Sequence, residues 1–148
     1  MIIGVNADEY RDRKATAEDY LCPSQVVAST RNDTGASAWM YYFTRVRQDA
    51  AGAELGAYHG AEYPYSFGTH DSYMTTTEYD LELSALIQRY WINFAANGDP
   101  NGEGFPKWPL FYEPDAKLLE LGDEVRVIPA VEPESCAAFK RLREAPGD

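Results

Sequence analysis

Ile2, Ile3, Gly4 and Val5 form an uninterrupted apolar run, and its β-branched content predicts a short parallel strand buried on both faces. A strand of that kind needs neighbours and covering helices, so residues 6–9 read as the loop at its carboxyl end within a larger α/β sheet. Residues 10–16 are polar and basic, with no period. Tyr20, Val26, Val27 and Ala28 suit a short helix near Pro23, after which the Asn, Asp, Thr, Gly and Ser of residues 30–37 mark a loop. The aromatic run Trp39, Met40, Tyr41, Tyr42, Phe43 predicts a second buried strand, and residues 45–54 read as a second polar loop. Residues 55–68 mix three glycines and a proline with aromatics, which suits neither helix nor strand. Small residues on both sides of His59 point instead to backbone packed tightly around one imidazole.

The strongest periodic signal lies further on. Thr77 with Asp80 three residues later is a capping-box pattern, and Tyr79, Leu83, Leu86, Tyr90, Trp91 and Phe94 recur at spacings of three and four. The predicted helix ends near Asn97-Gly98, where glycine can adopt a left-handed cap and Asp99-Pro100 prevents continuation. Residues 101–114 read as a Gly/Pro loop stiffened by Phe105, Trp108 and Phe111. Residues 117–121 and 124–128 predict a hairpin turning at Gly122-Asp123, and residues 134–144 a last helix carrying Cys136, Phe139 and Leu142 inward. No internal repeat interrupts this order.

A chain of 148 residues is the length of one domain, and its three Trp, eleven Tyr and six Phe can build a substantial core. Disorder and a disulfide-only miniprotein are therefore poor readings. Thirteen Lys and Arg against 24 Asp and Glu give a formal charge of −11, which repels nucleic-acid phosphates and anionic headgroups, so neither nucleic acid nor a membrane surface is an expected partner. No basic leader with a long apolar run follows Met1, so no export signal is expected at this end. With two cysteines, Cys22 and Cys136, and two histidines, His59 and His70, no zinc ribbon or finger can be assembled, and neither metal nor cofactor is expected. Spacing leaves both thiols unpaired or joined in one bridge, and leans to the first.

One constellation carries chemistry: an acid, Glu9 or its neighbour Asp8, at the end of a parallel strand, and His59 in a glycine-flanked loop after a second strand. A serine-histidine-acid hydrolase on an α/β sheet places its members in that chain order, and the carboxylate fixes the tautomer of the imidazole. A satisfied core histidine is the plainer alternative. Here the motifs become specific. Residues 55–68, LGAYHGAEYPYSFG, closely resemble the histidine motif of the type-B carboxylesterase and cholinesterase family, and residues 3–9, IGVNADE, resemble its acid motif. Residues 89–102, RYWINFAANGDPNG, and 105–111, FPKWPLF, add two more ordered matches.

The resemblance implies an α/β class, specifically the carboxyl-terminal part of an α/β-hydrolase sheet: its last central strands, helices and a closing hairpin. It implies His59 as general base and acid, Glu9 as triad acid, Glu62 as a buried glutamate behind the histidine, and a structural role for Asp8. A solvated loop charge is the alternative for Glu62. It also implies a disulfide between Cys22 and Cys136. The likeness is strongest over residues 19–145, whereas residues 10–18 look like a deletion junction, and the acid motif ends in Tyr10 where the family has glycine. The nucleophile elbow GxSxG is absent; Gly35-Ala36-Ser37-Ala38-Trp39 lacks its second glycine and precedes a strand.

The whole of residues 1–148 is therefore expected to be a carboxyl-terminal piece of a serine carboxylic-ester hydrolase, inactive alone, with an ester as substrate of the full-length enzyme. Its expected partners are an amino-terminal fragment or a second copy, and the family context with its bridge suggests a secreted or periplasmic setting. Cholinesterase-like domains also serve as adhesion modules, the competing expectation. An aromatic-rich sugar-binding domain explains composition but not motif order. Ile2, Ile3, Trp39, Tyr41 and Phe43 are expected to lack cover within the chain.

Overall fold

Parallel strands cannot be joined by a tight turn, so the chain must leave the sheet and return between them. In the computed structural model, which describes residues 1–10, 16–70, 75–112, 115–130 and 136, it does so twice. Strand β1 (Ile2–Asn6) pairs in parallel with β2 (Trp39–Phe43), which pairs in parallel with β3 (Lys117–Leu121). Helix α1 (Cys22–Asp33) lies in the first crossover. The second holds α2 (Ala50–Leu55), α3 (Tyr63–Phe67) and α4 (Glu78–Asn97). Strand β4 (Val125–Pro129) returns antiparallel on β3, with Leu119 opposite Val127, so the sheet order is β1-β2-β3-β4.

The alternation of side chains along each strand divides the core between two faces. Trp39, Phe43, Leu119 and Leu121 pack with Leu83, Ile87 and Tyr90 of α4 on one face. Val5, Met40 and Leu118 pack with Leu21 and Ala28 on the other. Both faces of the central strands are thus dry, which accounts for their nearly continuous apolar sequence. Helix α4 forms as its pattern predicts: Thr77 N–H donates to Asp80 Oδ2 at 2.8 Å, Asp80 N–H donates to Thr77 Oγ1 at 3.3 Å, and Gly98 closes the helix at φ 75°. Burial of Leu83, Ile87 and Tyr90 contributes roughly 1.5–3 kcal/mol for each side chain. The loop after α4 is pinned by Trp108, whose Nε1 donates to the Met40 carbonyl at 2.9 Å and whose ring stacks on Trp91 at 5.8 Å.

Several local expectations change. The polar loop at residues 45–54 contains α2, started by Asp49, whose carboxylate accepts from Gly52 N–H at 2.7 Å; short Ala and Gly side chains hide it from a hydrophobic pattern. The stretch 55–68 contains α3, because Pro64 sits in the first turn, where no intrahelical N–H bond is lost, and Gly68 supplies a left-handed cap. The helix near Pro23 is longer than expected, with a π-helical turn at Ala17–Leu21 running into α1. Strand β4 starts at Val125, leaving a three-residue connection. Strand β1 is half exposed from Ile2 to Gly4, since it pairs along one edge, whereas Trp39 and Phe43 are covered from within the chain by α4 and α3.

Cys22 and Cys136 are joined in a disulfide with Cα atoms 5.2 Å apart. The last helix over 134–144, apart from Cys136, and most of the junction over 10–18 lie outside the described residues. Among the described residues no helix is long and apolar enough to cross a membrane.

Candidate active site

Asn6 ends β1 and is itself buried, an amide at the carboxyl edge of an apolar strand. The turn that follows is tied to its surroundings at every step. Ala7 N–H donates to the Phe43 carbonyl at 2.9 Å, and Asp8 N–H to the Ala57 carbonyl at 3.0 Å. Ala57 N–H donates back to Asp8 Oδ2 at 3.0 Å, which gives Asp8 the structural place expected of it. The acid turn and the histidine loop are therefore joined by a two-way bridge two residues before His59. Gly56 makes this approach possible: its φ is +67°, and a Cβ there would lie 2.6 Å from Asp8 Oδ2.

The turn directs Glu9 back under the loop. Its Oε1 accepts from Asn6 N–H at 2.8 Å, and its Oε2 lies 2.6 Å from His59 Nδ1. The two side chains differ sharply in exposure, 6% for Glu9 and 60% for His59. An ionised carboxylate can only accept, so this contact takes the proton on Nδ1. The pair is an exposed imidazole held through Nδ1 by a buried carboxylate. Among the described residues no group of three or more His, Cys, Asp or Glu side chains could hold a metal ion.

One tyrosine packs beside the imidazole, and a second is hydrogen-bonded to that tyrosine. The Tyr20 ring stands 5.7 Å from the His59 ring, and its hydroxyl donates to the Tyr10 hydroxyl at 2.9 Å. That hydrogen bond, with burial and the nearby Tyr10 and Glu9 adding to it, pushes the Tyr20 phenol up to about 12, so it stays neutral beside the histidine. Glu62 is half-buried, and its Oε2 accepts from Asn6 Nδ2 at 2.5 Å. His70 has other neighbours, Arg47 Nη2 at 3.3 Å and the Tyr65 ring at 5.3 Å.

Asn6, Tyr10 and Tyr20 had no expected part in the site. Asn6 could have been found as the one polar side chain closing the apolar run of β1. The tyrosines meet only through tertiary folding, and no spacing announces them.

A profile of the carboxylesterase family matches residues 7–139. The chain is 32% identical over 123 residues to liver carboxylesterase 1 of Oryctolagus cuniculus, covering 81% of this chain and 22% of that protein. It is 37% identical over 98 residues to the medium-chain fatty acyl-CoA hydrolase precursor of Anas platyrhynchos, 64% of this chain and 17% of that protein. Over 69 residues it is 45% identical to cocaine esterase of Homo sapiens, 45% of this chain and 12% of that protein. The chain thus spans about a fifth or less of the length of these relatives. With the match running through the acid turn, the histidine loop, α4 and the hairpin, the chain belongs to the carboxylesterase family.

Proposed function

We propose that this chain supplies the histidine and acid of a serine carboxylic-ester hydrolase site whose nucleophile lies on sequence outside residues 1–148. His59 takes the proton of an attacking serine at Nε2 and returns it to the leaving alcohol, while Glu9 holds the Nδ1 proton and stabilises the imidazolium formed between those steps. The observation that carries this reading is the 2.6 Å contact between His59 Nδ1 and a carboxylate that is itself buried and held by Asn6 N–H. Glu62 supports the loop through Asn6. An adhesion module has no use for an imidazole aligned in this way.

The reading requires a serine from elsewhere, and no GxSxG segment stands in the sequence. The 148-residue chain alone is therefore expected to give no covalent labelling by a fluorophosphonate and no p-nitrophenyl ester turnover above a His59→Ala control. Stoichiometric labelling of any serine in the chain, abolished by His59→Ala, would place the nucleophile here and refute the proposal.

A further inference from the structure

Asn6 makes three hydrogen bonds at the meeting point of the acid turn and the histidine loop. Its N–H donates to Glu9 Oε1 at 2.8 Å, while its Nδ2 donates to the Tyr58 carbonyl at 2.7 Å and to Glu62 Oε2 at 2.5 Å. Both partners of the side-chain amide are acceptors, so the orientation of that amide is fixed: the reverse would set its oxygen against a carbonyl and a carboxylate. Its two N–H donors are both used, and Oδ1 meets no donor among the described residues. The side chain thus works here purely as a twofold donor. One of its acceptors is the backbone of the residue before His59, the other a side chain three residues after it.

We propose that Asn6 is the positioning residue of the site, holding Glu9 through its backbone and the His59 loop through its side chain so that the acid and the imidazole meet in one geometry. The inference rests on the His59–Glu9 reading and adds the device that maintains it. The buried position explains why a donor is needed: the Tyr58 carbonyl and the Glu62 carboxylate converge on Asn6, and no shorter or apolar side chain could satisfy both. An aspartate of the same shape reverses the polarity, setting a carboxylate against both acceptors.

The test uses the full 148-residue chain with 15N-labelled histidine, whose two imidazoles are separated by a His70→Gln variant. In the unmutated chain the His59 ring shows the Nδ1–H tautomer with a slowly exchanging proton. Asn6→Asp is expected to accelerate exchange of that proton at least tenfold and to mix the tautomers. In the double variant Asn6→Asp with Glu62→Gln, the amide at position 62 donates to the carboxylate at position 6 and restores that one bond in the reverse direction, and exchange moves part of the way back toward the original rate. The His70 ring pattern reports whether the fold is kept. If Asn6→Asp does not fold, Glu62→Ala decides, with acceleration of at least threefold expected. Exchange within twofold of the original in the folded variant overturns the inference. Glu9→Gln separates the two claims: if it too leaves the His59 tautomer and exchange unchanged, the histidine-acid reading fails, whereas if it alone disturbs them only the role of Asn6 fails.

Discussion

Asp80 shows how much one residue can carry in this fold. It is fully buried, and it accepts from Arg45 Nε at 2.8 Å, from the Tyr65 hydroxyl at 2.6 Å, and from both Thr77 N–H and its hydroxyl. Burial alone would raise its carboxyl, but the bonds from Arg45, Tyr65 and Thr77 outweigh that and hold it well below the usual carboxylate range. Arg45 reaches on to Asp123 beyond β3 at 2.5 Å, so one acid joins the start of α4, the end of β2 and the hairpin turn. Asp80→Asn is expected to cost on the order of 3–5 kcal/mol at neutral pH, because it removes the buried counter-charge of Arg45 and leaves the guanidinium only the exposed Asp123. The folded carboxyl titrates below its unfolded value of about 4, so this contribution is complete above that value and is lost as pH falls through the lower, folded one. Urea titrations of both proteins from pH 7 down to pH 3 should show the gap constant at first and closing in acid. A constant gap throughout would contradict the assignment.

Among the elements, α4 and the β3–β4 hairpin were legible because their signals are local: a capping box, a 3.6-residue period, and a Gly-Asp turn between apolar strands. Helices α2 and α3 were not, since Ala-Ala-Gly-Ala offers no apolar stripe and a Pro-containing five-residue helix is decided by its caps. The cover over Trp39 and Phe43 depends on where α4 lands, which no residue of β2 specifies. The site divides in the same way. Glu9 and His59 stand in recognisable motifs, while the use of Asn6 and the Tyr10–Tyr20 pair emerge only once the loops meet. The disulfide acts at this scale, tying the start of α1 to Cys136 across a separation of 114 residues. The chain-entropy argument assigns roughly 4–5 kcal/mol to a loop of that length. Cys22→Ser with Cys136→Ser should lower the urea midpoint accordingly, and non-reducing peptide mapping of the parent chain should return one peptide holding both cysteines. Two freely alkylated thiols in the folded parent would contradict the bridge.

Taken as a whole, the molecule is a three-layer segment with one open side. Beside β1, an apolar groove of about 350 Å³ runs between Ile2, Ile3, Gly4, Tyr41, Trp91 and Phe94, on the edge of the sheet that lacks a neighbour among the described residues. The acid turn and the histidine loop lie at the carboxyl ends of β1 and β2, where the ligand crevices of open α/β sheets are found. On the proposed reading, the serine reaches the exposed imidazole of His59 from sequence outside residues 1–148. The most direct measurement joins the chain to a family-type amino-terminal segment bearing GxSxG and follows kcat/KM for a p-nitrophenyl ester. His59→Ala should lower it by on the order of 10⁴-fold or more, while His70→Ala, which changes a ring packed on Tyr65 and Arg47, should stay within a few-fold of the parent. Equal activity in the His59→Ala variant and its parent would contradict the account.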